Sequence, residues 1–202
     1  DPHSTDFNEG LWRTCCASFV QHSRLLETLE RDWPTHATVE RGFGSLSSRN
    51  RGAGVVSRSL GDLLIFGCGF LGLRAARLWI SRGGAVRAIT RSAARAERLR
   101  HDGIGPIVAD LMDPGSIREP LADLPIQHVL YCVGYDRGSL VSKESLYIDG
   151  LKNAVEAVAN PAARWVYVSS SSVYGQDDGS WVDETSPTEP ISDGGRICLR
   201  AE

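Results

Sequence analysis

Gly67, Gly69 and Gly72 stand in a Gly-x-Gly-x-x-Gly spacing, the arrangement that lets a backbone close on a phosphate. Gly67 permits a tight turn, and Gly69 has no Cβ to hold the chain off a pyrophosphate. Gly72 lets a helix pack closely on a strand. A glycine triplet by itself says little, because glycine-rich turns are common. Its setting is more specific. Four apolar residues, Leu63 to Phe66, precede it as a short buried strand, and apolar residues recur at helical spacing from Leu71 to Ile80. Between a strand and a helix, the triplet is a dinucleotide-binding fingerprint. Phe70 and Leu71 open the helix, whose N-terminus offers unpaired N–H groups and a positive dipole end to the phosphates. The competing reading is an ordinary strand–turn–helix corner, and the downstream residues weigh against it.

The second residue with readable chemistry is Arg91, about two dozen positions beyond Gly67 at the end of the next strand. An Asp or Glu there would accept bonds from both ribose hydroxyls and select NAD. Arg91 cannot accept them but can pair with a 2′-phosphate, which favours NADP over NAD. The alternative is a solvated arginine at a strand end.

These residues need a scaffold, and the pattern supplies one. Strands are predicted at 63–66, 85–90, 106–109, 128–133 and 164–168. Helices are predicted at 70–81, 93–101, 116–122 and 142–159, the third disturbed by Pro120. Strands alternating with helices imply an α/β domain with a parallel sheet covered on both faces. Right-handed crossovers make it a doubly wound Rossmann fold of strand order 3-2-1-4-5.

Composition excludes several classes. The chain of 202 residues is 42% hydrophobic with a formal net charge of −3, which points to no nucleic-acid or membrane partner. No apolar run approaches the roughly 20 residues of a membrane span. The N-terminus lacks an apolar signal core, and the five cysteines include no pair at zinc-knuckle spacing. The expectation is a cytoplasmic protein without a metal site. Residues 1 to about 60 differ from the rest, with Arg41 to Leu60 rich in Gly, Ser and Arg. They read as a disordered leader or as translated upstream sequence with initiation near Val55 or Val56. The only Met is Met112, and the chain ends at Glu202 within a predicted helix, so a fragment is expected.

Strand three runs into Asp110-Leu111, strand four into Val133-Gly134, and the long helix contains Gly150-Leu151-Lys152-Asn153. Strand five leads into Ser169-Ser170-Ser171-Ser172-Val173-Tyr174-Gly175. With the glycine turn, these segments resemble the short-chain dehydrogenase/reductase superfamily, in its extended branch of NAD-dependent epimerases and dehydratases. The resemblance covers residues 62–202. It implies an adenine contact for Asp110 beside Leu111, a small-residue turn at Val133-Gly134 next to the cofactor, and an ordering role for Asn153. It also implies that Ser170, four residues before Tyr174, is the catalytic hydroxyl. Such a hydroxyl can donate to a substrate oxygen as hydride moves. A polar strand-end loop whose serines bond the backbone is the plainer reading. Ser171 and Ser172 stand where dehydratases of this branch place Asp-Glu, which argues against sugar dehydration. Glu184 is expected to order a proline-rich loop.

One departure is large. The family's next helix holds Tyr-x-x-x-Lys, which supplies the proton and the cation that tunes it. Here Gly194 and Cys198 occupy those positions. The only lysines are Lys143 and Lys152, and neither follows a tyrosine by four residues. The chain therefore resembles atypical extended members. The expected activity is that of an NAD(P)-binding oxidoreductase or epimerase-like enzyme acting on a hydroxyl or carbonyl compound, such as a nucleotide sugar. The rival is a catalytically silent NADP-binding sensor or scaffold. The expected partner is a small-molecule substrate, with homodimerisation expected of a full-length protein whose smaller substrate domain would follow Glu202.

Overall fold

The computed structural model describes residues 60–202, so the expectations for the leader lie outside the described residues. The apolar run before the glycine turn is strand β1 (Asp62–Phe66), in which Leu64, Ile65 and Phe66 are all fully buried. Burial on both faces requires a strand in the middle of a covered sheet. There follow α1 (Phe70–Ser81), β2 (Val86–Thr90), α2 (Ala93–His101), β3 (Gly105–Val108), α3 (Pro114–Leu121), β4 (Ile126–Tyr131), α4 (Lys143–Ala157) and β5 (Arg164–Tyr167). A 3₁₀ turn (Ser171–Val173) and α5 (Asp193–Ala201) complete the order. The five strands form one parallel sheet in the order β3-β2-β1-β4-β5. The predicted doubly wound Rossmann topology is the observed one.

Local signals explain most of the boundaries. Ser92, Ser142 and Ser192 cap α2, α4 and α5, each accepting from the backbone N–H three residues on. Helix α3 begins two residues before the predicted start at 116. Asp113 caps it by accepting from Gly115 and Ser116, and Pro114 fits the first turn, where its missing N–H costs nothing. Helix α1 is the exception. Its N-cap is Gly69, and no side chain caps it.

The core gathers Leu64 and Phe66 of β1, Val129 and Tyr131 of β4, Ile117 and Leu121 of α3, and Ala154 of α4. Phe66 stacks on Trp165 at 6.3 Å between centroids. Trp79 of α1 meets His128 of β4 edge to face at 4.9 Å and donates to the Gly61 carbonyl. Burial, and secondarily the nearby Arg164, hold the His128 pKa below its ordinary value. The unfolded chain therefore takes up this proton first. The stabilisation is complete above an unfolded pKa of about 6.5 and is lost as pH falls through the lower folded value. Melting followed from pH 7.5 to pH 5.5 is expected to show a shallower acid loss in His128→Phe, which keeps the contact with Trp79, than in the unmutated chain. Parallel pH profiles would contradict it.

Candidate functional site

The three glycines of the β1–α1 turn do different work. Gly67 has φ +88°, and a Cβ there would lie 2.5 Å from the Cys132 carbonyl oxygen at the end of β4. A Cβ at Gly72 would lie 2.8 Å from the Gly67 carbonyl and 3.1 Å from Ile65 Cγ2. Both glycines let the turn, the helix and the neighbouring strand approach each other. Cys132 locks that approach: its thiol donates to the Gly67 carbonyl at 3.1 Å and accepts from the Gly72 N–H, while burial pushes its pKa up to about 12. Gly69 is unlike the others. The nearest atom to a Cβ at Gly69 is 4.0 Å away, so the space beside it is open.

That open space belongs to a cavity of about 500 Å³ at the carboxyl ends of β1 to β4. It brings together Gly67, Gly69, Phe70, Arg91, Asp110, Leu111, Val133 and Gly134 from four separate segments. Leu71 and Gly72 do not line it, and neither does Ser170. The open N-terminus of α1 faces a region with two cations, Arg91 and Arg95, and two carboxylates, Asp110 and Asp136. Arg95 is the residue that reading the sequence missed. It stands one helical turn beyond Arg91 on α2, and its guanidinium donates to the Cys68 carbonyl inside the glycine turn. Four-residue spacing from Arg91 is the signal that could have found it.

The edges of the cavity are held by backbone capture. Asp110 Oδ1 accepts from the Met112 N–H at 2.9 Å, and Ser116 Oγ accepts from the Asp110 N–H at 3.0 Å. Asn153 reaches from α4 to donate to the Leu111 carbonyl at 2.7 Å, an ordering contact between helix and loop. Phe70 is exposed, with the Arg74 guanidinium 3.5 Å above its ring.

The serine segment lies beside the start of α5. Ser170 caps the 3₁₀ turn, accepting from the Ser172 N–H at 3.2 Å and sharing a 2.9 Å bond with the Ser172 hydroxyl. The neighbouring Ser169 Oγ is buried with no hydrogen-bond partner. A Cβ at Gly195 would fall 2.1 Å from the Ser172 carbonyl, so α5 packs its first turn directly on this segment. At Gly194 a Cβ would meet Lys143 Nζ at 2.7 Å. Cys198 of α5 is buried near Tyr147 and Tyr167, and a lysine there would lack solvent for its charge. In the loop between, Asp183 does the anchoring: its Oδ1 accepts from Thr185 N–H, Thr185 Oγ1 and Ser186 Oγ. These bonds hold its pKa below the usual carboxylate range.

Comparison with known proteins agrees with this geometry. The chain is similar to a functionally unknown conserved protein from Silicibacter pomeroyi, at 32% identity and TM-score 0.53 over 70% of this chain and 46% of that one. It shares its fold with the Bordetella bronchiseptica enzyme WbmG, solved with NAD, at 21% identity and TM-score 0.60 over 73% and 50%. It shares it also with a UDP-glucuronic acid 4-epimerase from Bacillus cereus, solved with NAD, at 19% identity and TM-score 0.51 over 69% and 49%. The chain thus spans half or less of the length of these solved structures. No curated protein matches it. The family model of the NAD dependent epimerase/dehydratase family matches residues 63–195, which hold the glycine turn, all five strands but for Asp62, and the serine segment. This chain belongs to that family.

Proposed function

We propose that residues 61–202 bind a nicotinamide dinucleotide, NADP ahead of NAD, as the cofactor half of an oxidoreductase or epimerase-like enzyme acting on a hydroxyl or carbonyl compound. The observation that carries this reading is the single cavity that gathers an uncapped helix N-terminus, the open face of Gly69 and the Arg91–Arg95 pair. The donor set fits the group. Free N–H groups and a helix dipole suit a pyrophosphate, and two guanidinium groups beside β2 suit a 2′-phosphate. Asp110, Leu111, Val133 and Gly134 would flank the adenosine and the middle of the dinucleotide. Ser170 would polarise the substrate oxygen once its bond to Ser172 is exchanged. The solved enzymes from Bordetella and Bacillus hold NAD. The arginine pair is what turns the preference here toward the phosphorylated form, and a nucleotide sugar is the substrate class the Bacillus relative suggests.

Calorimetric titration of NADP⁺ and NAD⁺ tests the proposal directly. A charge-assisted pair with the 2′-phosphate contributes about 1.5–3 kcal/mol, or roughly ten- to a hundredfold in affinity. Arg91→Asp should reduce or reverse the preference, and Arg95→Ala should weaken it less while loosening the glycine turn. Equal binding of both cofactors by the unmutated chain would sink the NADP assignment. A second reading, a silent NADP-binding sensor, is favoured by Gly194 and Cys198 standing where the family has its proton donor and lysine. NADPH oxidation against a carbonyl panel separates the two readings.

A further inference from the structure

The cavity at the carboxyl ends of the strands is charged unevenly. Two cations, Arg91 and Arg95, stand on its β2 side, and one carboxylate, Asp136, stands on its β4 side beyond Val133 and Gly134. Strand β1 lies between β2 and β4 in the sheet, so the glycine turn that follows it separates these two ends. The other carboxylate, Asp110, follows β3 and belongs to the arginine side, where its Oδ1 is engaged by the Met112 N–H. A ligand spanning the cavity therefore meets a net positive end and a negative one.

The β4 side is open, and its carboxylate is held in place. Gly134 has no positive φ, and a Cβ there would meet nothing within 4 Å, so neither the backbone nor the packing calls for a glycine. Gly69 of the glycine turn is open in the same way. Asp136 Oδ1 accepts from the Gly138 N–H at 2.9 Å, and the Asp136 carbonyl accepts from the Ser139 N–H at 3.0 Å. This turn fixes the carboxylate at the cavity rim, and its Oδ2 accepts no bond among the described residues. Neither Asp136 nor the adjacent Arg137 joins any of the ion pairs formed among the described residues.

We propose that Asp136 sets the preference of the site for the redox state of its cofactor, its carboxylate favouring the oxidised nicotinamide, a cation, over the neutral reduced ring. This rests on the reading of the cavity as a nicotinamide dinucleotide site. In a doubly wound sheet a dinucleotide lies across the point where the strand order reverses, with one half on each side. With the 2′-phosphate on the arginine side, the nicotinamide half falls on the β4 side, where Asp136 lines the cavity. The two redox forms share every phosphate and both riboses and differ by one positive charge on the ring. A fixed carboxylate separates them by Coulomb attraction alone. Asp136 is exposed, so the attraction is screened and the factor is modest. Tighter binding of the oxidised form lowers the potential of the bound couple, which favours the direction of carbonyl reduction.

Asp136→Asn isolates the charge, because an amide oxygen still accepts from the Gly138 N–H and keeps the turn. Calorimetric titration of the whole chain with NADP⁺ and NADPH should show the affinity ratio, oxidised over reduced, falling roughly two- to fivefold in this variant, the range of an exposed charge pair. The difference between variant and unmutated chain should vanish in about 1 M salt, where the screening length falls to about 3 Å. Asp110→Asn, on the adenosine side, should alter both affinities by the same factor. Adenosine 2′,5′-bisphosphate, which has no nicotinamide, reports on the cofactor site by itself. An unchanged ratio in Asp136→Asn, a shift that persists in 1 M salt, or an equal shift in Asp110→Asn overturns the role of Asp136. Binding of the bisphosphate by the unmutated chain would then leave the cofactor site standing. Failure of the unmutated chain to bind any of the three ligands overturns the reading of the cavity and the proposal with it.

Discussion

Valine at Gly69 is expected to abolish dinucleotide binding while leaving the melting temperature of the domain where it is. A Cβ at this position meets nothing closer than 4.0 Å within the protein, so a side chain there enters open space rather than packed interior. On the function proposed above, the same open space is where a pyrophosphate would approach the N-terminus of α1, which no side chain caps. A loss of at least a hundredfold in affinity, about 2.7 kcal/mol, is the expected result by calorimetry. Wild-type affinity in the folded variant would mean that the glycine turn is not the binding site. Melting is the necessary control, because a destabilised variant would lose binding for another reason.

Valine at Gly67 should do the reverse and damage the fold itself. The residue has φ +88°, a region β-branched residues avoid, and its Cβ would lie 2.5 Å from the Cys132 carbonyl oxygen and 2.7 Å from Val133 Cα. The obstruction is the backbone of Cys132 and Val133 just beyond β4, so no side chain can swing away. Backbone strain of about 1–2 kcal/mol and overpacking of about 1–3 kcal/mol together remove a large part of a typical domain's stability. A fall in melting temperature of about 10 °C is expected, with ligand binding lost as a consequence. A variant that melts within a degree or two of the unmutated chain would show that the turn can rearrange. The contrast between two glycines two residues apart distinguishes a glycine needed by a ligand from a glycine needed by the fold.

Much of the scaffold was legible from periodicity, because a covered parallel strand must be apolar on both faces and a helix must repeat every three to four residues. Leu63 to Phe66, the glycine turn and α1 could be placed from that logic alone, and the sheet order followed from the handedness of crossovers. Helix α3 starts at Pro114, two residues before the predicted start at 116. The informative pair was Asp113-Pro114, a cap followed by a residue suited to the first helical position. The place of Arg91 at the cavity was legible because its distance from the glycines runs along a fixed strand–helix–strand path.

Read along the chain, Gly194 and Cys198 are a loss, since a tyrosine and a lysine are sought four residues apart on one helix. In space, the ammonium of Lys143 from another helix fills the position beside Gly194. Arg95 belongs to the same class, since only the packing of α2 against the β1–α1 turn brings its guanidinium to the Cys68 carbonyl. So does the division of labour among the three glycines, which share one residue type and differ in what stands opposite the absent Cβ. Local constraints such as φ, capping and hydrophobic period act between near neighbours and are therefore written in the sequence of this chain. Contacts such as that of Lys143 with Gly194 join residues 51 positions apart, and only the closing of the sheet and the packing of α4 on α5 determine them.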